Sequence, residues 1–397
     1  MLPARGGFEM ARDDIHNQQQ CALEIPPEDA ELLHLRGAVD AVDAGILEKL
    51  NERAHLVKAI GGLKQGRELP VYVAARERDI VARLREHNPG PFPDEAIPHV
   101  FREIISATRS LEQTLRITYL GPEGTFSHAA ALQQFGKSAQ LEPEASIPAV
   151  FAAAERGQAQ FAVVPVENST EGIVAQTLDV LVTTDLTICG ELRLRVTHDL
   201  WSRSGRLEAI ERVASHPQPL AQCRTWLDRN LPRAEHMELA STAAAAQLAA
   251  RDDRVAAIAN ALAGEIYGLT SVARAIEDRR DNTTRFFVLG TAAPPASGSD
   301  MTSVAFTVRK DQSGALLSLL EPFARAGINL SAIQARPLKG QPWEYLFFID
   351  LEGHRSAPRV AKALTEAAAC ALFHKILGSY PRAAASMQRE PQAEALP

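Results

Sequence analysis

Residues 116–135 read RITYLGPEGTFSHAAALQQF, and this stretch decides the fold of the middle of the chain. Ile117 and Tyr119 are typical of a short β-strand, and the Gly-Pro-Glu-Gly run that follows breaks it. Thr125 or Ser127 can then cap a helix. Such a strand, loop and helix start favour an anionic ligand, because free N–H groups and the positive end of the helix dipole meet there. An ordinary strand-to-helix turn has the same pattern.

Two later stretches combine an apolar, strand-like run with polar residues. They read VVPVENSTEG at 163–172 and DRRDNTTRF at 278–286. Polar residues that cluster where strands end line the ligand pockets of many α/β proteins. The three stretches together therefore indicate a pocket for a small anion.

The composition restricts the class of partner. A chain of 397 residues exceeds one hydrophobic core, so two or three domains are expected. The net charge of -7 gives no basic surface for nucleic acid or for an anionic membrane. No apolar run reaches membrane-spanning length, and the four cysteines lack metal-ligand spacing. We therefore expect a cytoplasmic protein with small-molecule partners and no metal site.

Periodicity divides the chain into segments. Residues 1–30 are predicted to form a disordered arm, and apolar residues at helical intervals predict three helices, at 31–64, 70–86 and 97–115. These make too small a core for a monomer, so pairing with a second chain is expected. Strand and helix patterns alternate over 116–291, which indicates an α/β fold. The remaining segments are a proline-bearing linker at 292–301, a βαββαβ pattern of the ferredoxin-like kind at 302–382, and a tail at 383–397.

These motifs resemble those of the bacterial bifunctional chorismate mutase–prephenate dehydratases of phenylalanine biosynthesis, over roughly residues 32–382. The resemblance implies an all-α chorismate mutase domain (31–115), a two-lobed α/β dehydratase domain similar to periplasmic binding proteins (116–291), and an α+β ferredoxin-like ACT domain (302–382). It also implies chorismate and prephenate as substrates, phenylalanine as inhibitor, a homodimer or higher homo-oligomer, and no cofactor.

The mutase reaction is a Claisen rearrangement and needs no nucleophile. A site that holds the folded dicarboxylate and places cations near the oxygen that gains charge supplies most of the rate. Arg53 and Lys64 are eleven residues apart, close to three helical turns, so they face the same way and are the catalytic candidates. Arg36 lies off that line, which fits the cross-chain role that the resemblance implies. The implied mutase site contains Arg36, Arg53, Lys64, Val73, Arg76, Glu77, Thr108 and Glu112.

Two of these positions depart from the family pattern. Val73 stands where some relatives have an aspartate, and Glu112 stands where some have a glutamine that donates to the ether oxygen. A glutamate donates only when it is protonated. We therefore expect Glu112 to take part in catalysis and mutase activity to fall at high pH, unless Gln113 occupies that place instead.

The dehydratase must bind a dicarboxylate, protonate the departing hydroxyl and exclude water. The resemblance implies that Thr284 is catalytic, either as proton donor or as hydrogen bond to the leaving oxygen. Since a threonine hydroxyl is a weak acid, Glu167 is the candidate helper and Arg285 the candidate carboxylate anchor. Cys223 is interpreted as buried packing. The implied site contains Gly121, Thr125, Phe126, Ser127, Glu167, Asn168, Ser169, Thr170, Thr284, Arg285 and Phe286, of which the two phenylalanines are equally typical of core or wall residues.

The stretch SGALLSLLEPFARAGINL at 313–330 resembles the phenylalanine-sensing ACT domains. The implied effector site contains Gly314, Ala315, Leu316, Asn329, Leu330, Arg336 and Pro337. Gln334 and Ala335 replace a Glu-Ser or Glu-Thr pair, which removes a carboxylate and a hydroxyl, so weaker feedback is expected.

Two alternatives stay open. A two-lobed ligand domain joined to an ACT domain is also compatible with a metabolite sensor that has no turnover. The departures at Val73 and Glu112 are also compatible with a dehydratase whose mutase domain is degenerate and only dimerises.

Overall fold

The computed structural model describes residues 27–64, 72–309, 311–337 and 345–383. The helices in these ranges are α1 (Pro27–Lys64), α2 (Ala74–Glu86), α3 (Ile97–Ser110), α4 (Phe126–Phe135), α5 (Ile147–Glu155), α6 (Ala175–Thr183), α7 (Pro217–Gln222), α8 (Arg224–Asn230), α9 (Thr242–Ala249), α10 (Ala261–Ile266), α11 (Ala315–Arg325) and α12 (Pro358–Ala369), with a 3-10 turn at Leu207–Ala209. None of these helices is both long and apolar enough to span a bilayer.

The strands of the described ranges are β1 (Arg116–Leu120), β2 (Gln140–Glu144), β3 (Phe161–Asn168), β4 (Gly172–Ile173), β5 (Thr187–Arg195), β6 (Asp199–Ser202), β7 (Arg212–Ser215), β8 (Glu235–Glu238), β9 (Val255–Ala259), β10 (Thr270–Ala273), β11 (Thr283–Gly290), β12 (Asp300–Thr307), β13 (Leu330–Pro337), β14 (Tyr345–Glu352) and β15 (Phe373–Pro381). They form three sheets, which correspond to two lobes of an α/β domain and one C-terminal α+β domain.

Helix α1 carries apolar residues at helical spacing, as the sequence predicts. Its first part, up to Leu56, forms a unit of its own. Within this unit Leu35, Val39, Val42 and Ile46 are each more than half exposed. Apolar faces of this size normally contact a partner.

Helices α2 and α3 pack beside the first lobe. Tyr72, just before α2, contacts the rings of Phe135 and Phe161 at centroid distances of 4.9 and 5.1 Å. Helix α3 ends at Ser110 rather than at the expected residue 115. Leu115 instead joins the hydrophobic core beneath β1, because the chain must become extended before the strand begins.

The first lobe is a mixed sheet in the order β2-β1-β3-β11-β5, with β4 paired to the end of β3. Strands β1, β2 and β3 are parallel, whereas β11 runs antiparallel to both β3 and β5. The second lobe is a sheet in the order β10-β6-β9-β7-β8. Strand β11 returns from the second lobe to the centre of the first, and its start therefore lies where the two lobes meet.

The C-terminal domain is an antiparallel sheet in the order β13-β14-β12-β15. One face packs against α11 and α12 through residues such as Phe306 and Phe323. The other face shares a hydrophobic core with the first lobe, which includes Ile188 and Phe348. The sheets approach so closely at Gly378 that an added Cβ would lie 2.4 Å from the carbonyl oxygen of Ile188.

Candidate active sites

Thr284 and Asn168 form the centre of the candidate dehydratase site. They are paired across β11 and β3, and the Asn168 amide nitrogen lies 2.8 Å from the Thr284 hydroxyl oxygen. The Asn168 side-chain oxygen accepts the backbone N–H groups of Thr170 and Glu171, at 2.9 and 3.1 Å. Because those N–H groups can only donate, the Asn168 amide nitrogen must face Thr284 and donate to it. The Thr284 hydroxyl therefore keeps its own proton for another acceptor.

The same amide begins a chain of side-chain hydrogen bonds. Its nitrogen also donates to the Asn282 oxygen at 2.8 Å, and the Asn282 amide nitrogen donates to the Gln222 oxygen at 3.3 Å. The Gln222 oxygen lies 2.9 Å from Nε2 of His198, which is 1% exposed. These hydrogen bonds connect Thr284 in the first lobe with α7 and with the residue before β6 in the second.

The loop of the PEGTFS motif lies against the second lobe. The Phe126 ring meets His198 edge-on at a centroid distance of 5.6 Å. Asn260 donates to the Gly124 carbonyl at 3.1 Å. Gly124 has φ +83, and an added Cβ would lie 3.2 Å from Ala263, so both conformation and close approach favour glycine. These contacts bring the motif next to the series of hydrogen bonds from Thr284 to His198, which we call the Thr284 hydrogen-bond chain.

The other predicted residues of these motifs have local structural contacts. Thr125 caps α4, and its hydroxyl donates to the Leu120 carbonyl. The Ser169 hydroxyl accepts the N–H of Thr283 at 3.0 Å and so joins the ENS segment to the start of β11. Ser127 is buried. Gly121 lies against Pro143, where a Cβ would come within 2.8 Å of the proline ring.

Three predicted residues contact other groups than the Thr284 hydrogen-bond chain. Arg285 and Glu167 are paired across β11 and β3, and both line a cavity of about 30 Å³ against the C-terminal sheet. The Arg285 guanidinium is bound there by Glu191 and Asp350, so this placement does not support a role as substrate anchor. The position of Glu167 likewise gives no support to its role as proton helper. Phe286 is 1% exposed in the hydrophobic core, which fits packing rather than binding.

The interpretation of Cys223 as a packing residue agrees with the structure. Its side chain is completely buried in the core of the second lobe. Burial raises the pKa of the Cys223 thiol above its ordinary value, so it is a poor nucleophile.

In the candidate mutase site, Lys64 at the end of α1 pairs with Glu112 after α3. The ammonium nitrogen lies 3.1 Å from a carboxylate oxygen, and both side chains are largely buried. Gly61 lies against the Glu112 side chain, where a Cβ would come within 2.8 Å of Cγ. Gln113 is exposed, so the structure places Glu112, not Gln113, beside Lys64.

The other mutase candidates are dispersed among α1, α2 and α3. Glu77 forms an ion pair with Arg109, and the Thr108 hydroxyl donates to the carbonyl of Ile104 one turn earlier at 2.8 Å. Arg76 is exposed on α2, and Val73 immediately precedes that helix. Arg36 and Arg53 lie in the separate first part of α1, the former exposed and the latter partly exposed.

The predicted effector residues lie at both ends of β13. This strand and β12 both run antiparallel to β14, so they are parallel to each other. Gly314, Ala315 and Leu316 begin α11 after the end of β12, near the same sheet edge as Arg336 and Pro337. Asn329 and Leu330 lie at the opposite end of β13, about 20 Å away along an eight-residue strand. Arg336 also forms an ion pair with Asp179 of α6, at 3.3 Å.

Sequence reasoning did not select His198, Asn282 or Glu277. Asn282 lies within the quoted DRRDNTTRF stretch, so its motif was a usable signal. His198 and Glu277 are joined by a bond from the His198 backbone N–H to the Glu277 carboxylate at 2.9 Å, across 79 residues of sequence. Only the fold brings these two together.

Comparisons with known proteins agree with this architecture. Residues 35–113 match the model of chorismate mutase type II, residues 117–294 that of prephenate dehydratase, and residues 302–369 that of the ACT domain. The bifunctional chorismate mutase/prephenate dehydratase of Aquifex aeolicus is 46% identical over 357 residues, which cover 89% of this chain and 98% of that protein.

Two of the matching solved structures each cover about two thirds of the chain. The prephenate dehydratase from Arthrobacter aurescens, in complex with L-Phe, is 38% identical with a TM-score of 0.63 and covers 68% of this chain and 90% of its own. GqqA, described as a quorum quenching acylase, is 32% identical with a TM-score of 0.62, and the match covers 67% of this chain and 97% of GqqA. The expected combination of an all-α, a two-lobed α/β and a ferredoxin-like domain is confirmed. The chain belongs to the bifunctional chorismate mutase/prephenate dehydratase family.

Proposed function

We propose that this protein rearranges chorismate to prephenate in its helical domain and then converts prephenate to phenylpyruvate in the cleft between its two lobes. The observation that supports the second activity best is the hydrogen bond from Asn168 to Thr284. It occupies an acceptor position of the Thr284 hydroxyl and leaves the hydroxyl proton available to the substrate.

The dehydratase step fits this arrangement. When the ring carboxylate of prephenate leaves as carbon dioxide, the electron pair of the broken C–C bond enters the ring. The ring hydroxyl departs with its bonding electrons and takes up a proton, so water is released and the ring becomes aromatic. In this proposal, Thr284 donates a hydrogen bond to that leaving oxygen, where negative charge develops. The buried surroundings strengthen this interaction, because water does not compete for the donor.

The mutase step is assigned to the two catalytic cations predicted on α1. Lys64 and Glu112 already form a pair, and chorismate would compete with that carboxylate for the ammonium group. Arg53 is assigned to the same role from its sequence spacing of eleven residues, and Arg36 is assigned to the site of a second chain. The exposed apolar residues of α1 support a homodimer, because a second copy of the helix would bury them.

Phenylalanine is the proposed inhibitor, bound by the C-terminal domain of a cytoplasmic enzyme. The Arthrobacter relative is a complex with L-Phe, and this chain has an ACT domain. The effector residues lie at opposite ends of β13, so two copies arranged side by side would complete each site. Loss of the family's Glu-Ser or Glu-Thr pair at Gln334 and Ala335 weakens the expected response.

The deciding experiment supplies chorismate to the purified full-length protein and follows prephenate and phenylpyruvate separately. We expect both products, and Thr284→Val should abolish phenylpyruvate formation while mutase turnover is unchanged. Phenylpyruvate formation within a few-fold of the wild type would contradict the role of Thr284. Binding without turnover would identify a sensor, and turnover of prephenate alone would identify a degenerate mutase domain.

A further inference from the structure

His198 is held in one defined tautomer by hydrogen bonds that begin at the protein backbone. The N–H groups of Thr170 and Glu171 fix the orientation of the Asn168 amide, as described above. Its nitrogen then donates to the Asn282 oxygen, which leaves the Asn282 nitrogen as the donor to Gln222. Each amide therefore has one orientation that is compatible with these bonds, and in it the Gln222 nitrogen has no partner among the described residues.

The direction of these bonds determines the proton on His198. The Gln222 oxygen accepts from Asn282, and an amide oxygen cannot donate to His198 Nε2. His198 Nε2 must therefore carry the proton and donate it, at 2.9 Å. Nδ1 of the neutral ring is then an acceptor, and it has no hydrogen-bond partner among the described residues.

The surroundings of His198 favour the neutral ring. The side chain is 1% exposed, and burial lowers the pKa of His198 although Gln222 and the carboxylates of Glu277 and Asp199 act in the opposite direction. Its backbone N–H is bound by Glu277, and its ring contacts the edge of Phe126. The ring is thus held between the PEGTFS loop and α7.

We propose that His198 is a positioning residue of the dehydratase: its Nε2–H holds Gln222 and, through Asn282 and Asn168, keeps the Thr284 hydroxyl proton directed toward the substrate. This inference rests on the proposed dehydratase role of Thr284 and adds a residue of the second lobe to it. His198 acts through three amides and forms no hydrogen bond with Thr284 itself. His198 therefore fixes the orientation of the Thr284 hydroxyl and does not transfer a proton itself. It also links the second lobe to Thr284 in the first.

The test compares His198→Gln, His198→Asn and His198→Leu in the full-length protein. The glutamine amide nitrogen can reach the place of Nε2, whereas the asparagine nitrogen reaches only that of Nδ1. We expect His198→Asn and His198→Leu to lower the dehydratase kcat at least about tenfold with KM changed less than about threefold, because misplaced catalytic groups lose rate, not binding. His198→Gln should stay within about threefold of the wild type.

Two controls separate this result from unfolding. Mutase turnover of each sample reports an intact chain, and His236→Asn places the same substitution at an exposed position of the edge strand β8 in the same lobe, where no change is expected. Equal activity of the glutamine and asparagine variants, whether both high or both low, would overturn the positioning role. An active Thr284→Val variant would instead overturn the proposed function on which this inference rests.

Discussion

Arg285 directly follows Thr284 on β11, and the two side chains project from opposite faces of the sheet. Thr284 is bound by Asn168 in the candidate site, whereas Arg285 donates to Glu191 at 2.7 Å and to the Tyr380 hydroxyl at 3.0 Å. The Arg285 side chain is only 13% exposed. Strand β11 is thus fixed to the C-terminal sheet by a buried cation one residue away from Thr284.

We predict that Arg285→Lys destabilises the protein without weakening prephenate binding. Lysine keeps the charge but cannot reach Glu191, Asp350 and Tyr380 together, so the free energy of unfolding should fall by about 1–3 kcal/mol. The KM for prephenate should change less than about twofold. Urea unfolding and steady-state kinetics measure the two effects.

A matched control for this substitution is Arg382→Lys. Arg382 pairs with Glu352 at 2.9 Å but its side chain is 52% exposed. Replacing this guanidinium should therefore lower the free energy of unfolding by less than about 0.5 kcal/mol. If Arg285→Lys instead raised KM about tenfold at unchanged stability, the guanidinium would bind substrate after all.

The close approach of Gly124 to the second lobe leads to a second prediction. An alanine at 124 would be strained at φ +83 and would also lie 3.2 Å from Ala263. Gly157 has φ +70, but no atom of the described residues lies within 4 Å of an added Cβ. Both alanine variants should therefore lose about 1 kcal/mol from backbone strain.

Only Gly124→Ala should move the PEGTFS loop, because only that variant presses on the second lobe. We expect its dehydratase kcat to fall about tenfold or more, while that of Gly157→Ala stays within about twofold. Thermal unfolding and dehydratase kinetics of the two variants check this. Equal kinetics would show that the contact with Ala263 does not matter for catalysis.

The sequence predicted that Thr284 and Asn168 belong to one site, because both residues lie in long motifs. Thr284 and Asn168 each belong to a polar run beside an apolar strand, and strand pairing joins the runs. Arg285 projects to the opposite face because side chains alternate along a strand. The sequence-based assignment of Arg285 as a substrate anchor beside Thr284 ignored this alternation. Motif membership alone does not show which face a side chain occupies.

Long-range contacts explain what the sequence could not predict. His198 reaches Thr284 through partners 24 to 116 residues apart, and no local pattern records such distances. The sequence of β2 does not indicate a strand either, since QLEPE is mostly polar, contains a proline and lies at the edge of its sheet. Edge strands tolerate such residues because only one side is paired.

The pair of Lys64 and Glu112 leads to a prediction for the mutase. A glutamate must be protonated to donate to the ether oxygen of chorismate, whereas a glutamine donates at any pH. We expect wild-type mutase activity to fall at high pH and Glu112→Gln to remove that fall, as measured by pH–rate profiles. Gln113→Ala should stay within about twofold, because that side chain is exposed. Unchanged profiles in Glu112→Gln would exclude Glu112 as the donor.

Burial of neutral His198 predicts a loss of stability in acid. Its pKa lies below the ordinary 6.5 in the folded protein, so the unfolded chain binds this proton first as the pH falls. The free energy of unfolding should therefore decrease below about pH 6.5, until the folded protein also binds the proton. Urea unfolding between about pH 7.5 and about pH 5.5 should give a shallower decrease for His198→Gln than for the wild type. If the free energy of unfolding fell equally with pH in the two proteins, His198 would not be the buried neutral group responsible for the loss.

The exposed face of α1 predicts that the mutase needs two chains and the dehydratase chemistry needs one. Val39→Glu together with Val42→Glu would place two charges where a second helix is expected to bury apolar surface. Light scattering should then show that the dimer is lost or that it forms only at higher protein concentration. Mutase turnover should fall with it, because the site would lose the partner's Arg36. Phenylpyruvate formation from added prephenate should persist, since the Thr284 hydrogen-bond chain lies within one protomer. A fully active, monomeric mutase would contradict the cross-chain site, and a dimer that survives both charges would mean that α1 is not the interface.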